Sequence, residues 1–316
     1  MTQAILIPII AAMAIWPFGR NKNDDEGTIR ELEEVEVVVD TSQAISGSEQ
    51  KAIESYREFL DLASEDPLLR AEAMRRLADL QLETEEGVQL AAGLEVLGDE
   101  AGSTVNLYEQ LLESYPGYEK RDLVLYQLAR AHEASGRIEE ALDTLDRLVE
   151  EYPETQHIDE AFFRRGEMLF VEQRYGEAED SYDFVINYGP ESNFYEQSLY
   201  KQGWAQFKQV RHEDSLEPFF ALLDRRFRVD GAASPDPADV YVEMGRAEQE
   251  LVDDTLRVVS IGFSYMDGPE SITEHFRDIG TRPYSYVVYT HLGDLYIDQE
   301  RCLLYTSPSP RDERRY

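Results

Sequence analysis

Apolar positions along this chain recur at helical spacing in short blocks, and the blocks themselves recur. Within residues 121–225 an aromatic ladder runs Tyr126, Phe163, Tyr200, each a step of 37 after the last. Small residues keep that step at Ala129, Gly166 and Gly203, and again at Ala141, Ala178 and Ser215. A fixed period of this length marks stacked supersecondary units, each covering its neighbour's apolar face. The small positions are read as contact points between paired helices. A bulkier side chain at any of them would overpack, at a cost of roughly 1–3 kcal/mol.

The 3.6-residue periodicity predicts helices over Lys51–Ala63, Ala71–Glu83 and Thr104–Tyr115. It then predicts three helix pairs: Asp122–Ser135 with Arg137–Tyr152, Asp159–Gln173 with Tyr175–Tyr188, and Glu196–Val210 with Glu213–Asp224. Gly136 marks a turn, and Pro116, Pro153 and Gly189-Pro190 mark stops, because proline cannot continue a helix. Between Thr84 and Gly102 scattered glycines interrupt the pattern, so an insertion of one extra helix or loop is expected there. Val240–Met266 reads as one long helical run without the repeat's punctuation. A short helix over Glu270–Ile279 and a return to pattern over Tyr284–Arg301 follow.

The spacing of particular residues resembles the tetratricopeptide repeat. Leu125, Leu128, Ala129, Gly136, Ala141, Leu145, Leu148 and Pro153 occupy that family's places, as do Phe162, Gly166, Ala178, Tyr182, Val185 and Pro190 in the next copy. Leu292, Gly293 and Tyr296 repeat the Leu-Gly and aromatic signature. Arg165 and Gln202 stand where Leu is usual, and His132 where Tyr is usual. The step is also longer than the family's by three residues, taken up in connections such as Glu154–Ile158. The resemblance implies an all-α, right-handed superhelical solenoid of antiparallel helix pairs, truncated in its last repeat, that acts by binding.

Segment boundaries are expected where these patterns change. Residues 1–14 contain an apolar run, Ala4–Ala14, too short to span a membrane and suited to a secretory signal, with Ala12-Met13-Ala14 as cleavage pattern. Against that, Met1-Thr2-Gln3 carries no basic residue, so a short uncleaved anchor and a misassigned start are the rival readings. Residues 15–48 are acidic and poor in apolar surface, which predicts a disordered tether. Repeats occupy 49–225, an atypical helical segment 226–281, and the first helix of a further repeat 282–301. From Cys302 the pattern stops; CLLYTSPSPRD reads as translated sequencing-adaptor read-through, so 302–316 are expected to be a non-native tail.

Charge narrows the partners. There are 65 acidic and 30 basic residues, a net charge of −35. Phosphate binding needs clustered Lys and Arg, so nucleic acid is disfavoured. An anionic lipid surface is disfavoured for the same reason, leaving membrane association to the N-terminus alone. Cys302 is the sole cysteine, so neither a disulfide nor a cysteine metal site is expected. The five histidines share no ligand spacing, the glycines sit at helix turns, and no Gly-x-Ser-x-Gly motif occurs. No catalytic residue, cofactor or metal is therefore expected.

What remains is a surface. The resemblance implies a concave groove lined by the first helix of each pair. Carried over by position, it comprises Leu123, Tyr126, Arg130 and Glu133, then Glu160, Phe163, Glu167, Phe170 and Val171, then Gln197, Tyr200, Trp204, Phe207 and Lys208. Aromatic rungs with few charges suit a protein or peptide segment carrying apolar anchors. The competing expectation is that neighbouring helices, the 84–102 insertion or the tether cover those rings. Function is read as a non-catalytic, exported scaffold of cell-envelope assembly or maintenance. A cytoplasmic adaptor or cochaperone, and the helical-repeat part of a larger enzyme, are the alternatives.

Overall fold

A computed structural model describes residues 41–62, 66–92, 99–229 and 235–299. The expected signal, most of the tether and the tail from Cys302 lie outside the described residues. The chain divides into two units, 1–48 and 49–316. Of the first, only the start of helix α1 (Thr41–Asp61) is described, and every later helix belongs to the second. Residues 41–48 of the expected tether are thus helical.

Helices continue as α2 (Pro67–Ala92), α3 (Asp99–Ser114), α4 (Arg121–Ala134), α5 (Ile138–Glu151), α6 (Ile158–Val171), α7 (Tyr175–Tyr188), α8 (Tyr195–Lys208) and α9 (Leu216–Arg226). The last four are α10 (Pro237–Glu243), α11 (Arg246–Tyr265), α12 (Pro269–Ile279) and α13 (Ser285–Asp298). No strand occurs among the described residues. Helix α4 packs on α5, α6 on α7 and α8 on α9, while α5 meets α6 and α7 meets α8 between repeats. This is an all-α solenoid of antiparallel helix pairs.

The small-residue ladder is explained by what faces it. A Cβ added at Gly166 would lie 2.6 Å from the ring of Tyr182, and one at Gly203 2.7 Å from the ring of Phe219. Both rings are buried. Leu145, Tyr182 and Phe219 are themselves one step apart. Where the second helix offers Leu145 the first carries Ala129, and where it offers a ring the first carries glycine. The partner of Gly166 and of Gly203 is therefore this bulky position, one turn beyond Ala178 and Ser215.

Turns repeat as faithfully. Gly136, Gln173 and Val210 all have left-handed φ, at 71°, 62° and 64°. After each, a backbone N–H reaches five residues back: Arg137 to His132 at 2.9 Å, Arg174 to Leu169 at 2.8 Å, and Arg211 to Gln206 at 3.0 Å. This six-residue closure satisfies carbonyls that a helix end leaves open. Connections between repeats are pinned from the other side. The Thr155 hydroxyl donates to Asp122 at 2.8 Å and the Ser192 hydroxyl to Asp159 at 2.7 Å.

One expectation is narrowed and one is corrected. The interruption at 84–102 is mainly helix: residues 84–92 extend α2 and 99–102 open α3, because ETEE and QLAA favour helix and the lone Gly87 is tolerated. The run Val240–Met266 is two helices, parted at Met244-Gly245. There Gly245 adopts extended backbone and its N–H donates to the Glu248 carboxylate at 2.9 Å, which starts α11.

The buried core forms two clusters. One runs from Ala71 to Ala205 and the other from Leu216 to Tyr296. Helix α8 joins them: Ala205 belongs to the first, while Tyr200, Trp204 and Phe207 pack against the second.

Candidate binding surface

The predicted groove residues lie on α4, α6 and α8, the first helices of three successive pairs. Tyr126 is buried, its ring parallel to His157 at 4.8 Å, and Arg164 Nε donates to its hydroxyl at 3.0 Å. Burial holds the Tyr126 phenol above its ordinary value. Phe163 is half-buried, stacked on Phe194 at 5.0 Å and tilted against Tyr182 at 6.1 Å. Phe170 is half-buried, edge-on to Tyr175 at 5.2 Å, with Lys201 Nζ 5.4 Å from its ring centre.

Tyr200 is half-buried and donates its hydroxyl to Asp254, from α11. Its phenol is pushed up to about 12, by burial first and then by that carboxylate. Trp204 meets Tyr200 and Phe207 edge-on, at 6.4 and 5.6 Å, and Lys208 Nζ lies 5.6 Å from its centre. Phe207 is flanked by His212 at 4.7 Å and by Tyr265 of α11 at 6.2 Å. Two rungs, Tyr126 and Tyr200, are thus tied down by the next layer of the solenoid. Phe163, Phe170, Trp204 and Phe207 each keep part of a face open.

The charged positions are engaged. Arg130 donates to Gln127 at 2.9 Å and to both oxygens of Glu86, on the extended part of α2. Glu167 accepts from the Tyr182 hydroxyl at 2.6 Å and from Lys201 at 2.6 Å. Arg164 bridges Tyr126, Glu133 and Glu160. Burial opposes its charge, but those partners outweigh it and hold the guanidinium above its usual value. Burial raises the Glu133 carboxyl.

Sequence reasoning passed over Arg164 and Lys201, although Gln127, Arg164 and Lys201 keep the same step of 37. Asp254 and Tyr265 were beyond its reach, since they arrive from a region where the period fails. No group of three or more His, Cys, Asp or Glu residues is placed to hold a metal among the described residues. No described helix is long and apolar enough to cross a membrane.

These features define a helical-repeat protein of the protein-interaction type. Residues 99–161 match the tetratricopeptide repeat family model. Among solved structures, BtubC (BKLC) from P. vanneervenii is 12% identical over 84% of this chain and 92% of its own, with TM-score 0.46. A kinesin light chain of Podosopora anserina with nearly identical TPR-like repeats is 14% identical over 75% of this chain and 100% of its own, with TM-score 0.43. MamA from Desulfovibrio magneticus RS-1 is 15% identical over 64% of this chain and 92% of its own, with TM-score 0.40. No curated protein sequence matches the chain. The family-model match over residues 99–161 makes the chain similar to tetratricopeptide-repeat proteins, a class that is typically non-catalytic and mediates protein–protein interaction.

Proposed function

We propose that this chain is an exported scaffold of a cell envelope that holds an extended or helical segment of a protein partner along α4, α6 and α8. The observation that carries the reading is the row of half-open rings, Phe163, Phe170, Trp204 and Phe207, on successive first helices. Aromatic anchors of this kind supply most of the energy in protein recognition. The charges between them favour one kind of segment. Arg130, Arg164 and Lys201 are already paired with carboxylates, so an acidic or carboxylate-ended peptide would have to displace those partners. An apolar segment with basic flanks would not. A cytoplasmic adaptor that clamps acidic peptide tails is disfavoured on the same ground. Export rests on the apolar run Ala4–Ala14.

Photo-crosslinking of the full chain expressed in a Gram-negative host tests this. A photoreactive phenylalanine at Phe170 is expected to give discrete protein adducts in the periplasmic fraction, and one at exposed Glu139 none. The same adducts from both positions would overturn the groove. A chain confined to the cytoplasmic fraction at its full mass would overturn export.

A further inference from the structure

Outside the groove, a half-open cavity of about 380 Å³ lies between the end of α9 and helices α10, α11 and α13. Its size is that of a site for one large side chain or small ligand. Buried Phe227 and Leu256 form its inner wall, and Val242 and Tyr286, 79% and 55% exposed, lie at its mouth. Val242 and Tyr286 thus add exposed apolar surface to the cavity's opening.

A polar pair stands in this wall, with the His291 imidazole as its other polar group. The Tyr241 hydroxyl donates to Asp253 Oδ2 at 2.8 Å, which fixes that carboxylate at the cavity's edge. The surrounding charge is mixed, with acidic residues in excess. The acidic residues of helices α10, α11 and α13 include Asp239, Glu243, Glu250, Asp253, Asp294 and Asp298. Against these stand Arg246 and Arg257, paired with Glu250 and Asp254, Arg228, paired with Glu243, and His291 in the cavity wall, which leaves Asp239, Asp253, Asp294 and Asp298 in excess. A ligand entering here meets an apolar hole with one carboxylate, Asp253, in its wall and an excess of acidic residues on the surrounding helices.

We propose that this cavity is a second peptide-anchoring site, which takes a large apolar side chain, aromatic above all, from a segment with Lys or Arg beside that anchor. The apolar side chain fills the space between Phe227, Leu256 and Val287, and the cation meets Asp253. Charge complementarity selects the basic flank, and cavity volume limits the site to one anchor. The site stands apart from α4 and α6, so it does not depend on the groove reading.

Calorimetry on the full chain tests it with three probe peptides: acetyl-Lys-Trp-Lys-amide, acetyl-Lys-Gly-Lys-amide and acetyl-Glu-Trp-Glu-amide. The first is expected to bind at least tenfold more tightly than the other two. Ala238→Trp, which fills the cavity from the first turn of α10, is expected to abolish binding. Asp253→Asn is expected to weaken it several-fold. Circular dichroism checks that the variants fold, and Ala238→Leu replaces the Trp variant if that one does not. Tyr188→Ala, at an exposed position on α7 outside both surfaces, should bind the first peptide as the parent does. Equal binding of the three peptides, or no binding, would overturn the proposal. So would binding that survives cavity filling or is lost in Tyr188→Ala. Tryptamine binding as tightly as the peptide would make this a small-amine site instead, and overturn the peptide assignment.

Discussion

Residues 121–229 and residues 237–299 solve the same packing problem in different ways. In the first stretch Gly166 closes on Tyr182 and Gly203 on Phe219, and Ala129 and Leu145 hold the same two places one repeat earlier. Those choices advance together along the chain, so each repeat is a variation on one joint. In the second stretch the positions one step beyond Gly203 and Phe219 are Val240 and Leu256, with no small residue to admit a ring. The first helix is cut to the seven residues of α10, and α11 runs on for twenty. Helix α11 then packs chiefly on α13, with the shorter α12 beside them. Periodicity lets an interface be copied. Where the copied joint fails, the chain builds a separate core from Phe220, Phe263, Phe276 and Tyr284, and sets α11 against Tyr200 and one side of Phe207.

The sharpest way to break that comparison is to empty the second core. Phe263 is fully buried among Phe220 and His275. Phe263→Ala is expected to cost about 3–5 kcal/mol locally. Because stability in a solenoid is shared mainly between neighbours, residues 246–298 should lose amide-exchange protection while α4–α7 keep theirs. Uniform loss along the whole chain would show that the two clusters fold as one.

Next in size is the joint itself. Gly166→Ala places a methyl 2.6 Å from the Tyr182 ring and is expected to cost about 1–3 kcal/mol, read from denaturant midpoints. The paired change Gly166→Ala with Tyr182→Leu recreates the Ala129–Leu145 joint. It should therefore recover part of the loss, although Tyr182 also gives up its bond to Glu167. A double-mutant cycle with no coupling would mean that the small and large residues do not recognise each other.

Much of this architecture is legible in the sequence. The ladders at 126, 129 and 141 located every helix pair in the regular stretch, because a solenoid writes its contacts into sequence at a fixed step. The partner of the glycine was missed, since Leu145, Tyr182 and Phe219 share a role but not a chemistry. The break at Met244-Gly245 escaped because a single glycine is weak evidence for a helix end without the carboxylate that caps the next one. The candidate groove was legible as a list of positions. Its openness was not: Glu86, Asp254 and Tyr265 reach it from segments whose register is not set by the repeat.

Titration separates the two stretches by another route. His275 stacks on Phe220 at 4.5 Å, and burial first, then Arg282, hold its pKa below the ordinary 6.5, with Asp278 acting in the opposite sense. The folded chain thus binds fewer protons here than the unfolded one just below pH 6.5. This contribution to stability is complete above that pH and declines as pH falls toward the folded-state value. His132, in the regular stretch, is shifted the same way, by burial first and then Arg137. His275→Leu is expected to flatten the decline between pH 7.5 and 5 for residues 246–298 only, as followed by amide exchange. A slope unchanged in that stretch would assign the decline to other groups.

The smallest effect tests how strictly the regular stretch holds its own rule. Gly136 adopts left-handed backbone freely, but Val210 is β-branched and holds φ at 64° in the same turn. That conformation costs a side-chain-bearing residue about 1–2 kcal/mol. Val210 is also 74% exposed, so its side chain returns little by burial. Val210→Gly should release the strain and lose about 0.4–1 kcal/mol to the greater freedom of glycine in the unfolded chain. The expected net result is a stabilisation below about 1 kcal/mol. Gln173→Gly should give less, because an unbranched side chain is less strained there. Unfolding midpoints in urea measure both. A destabilised Val210→Gly would mean that the isopropyl group is held by contacts that its exposure does not reveal, and the third turn would then obey a different rule from the first.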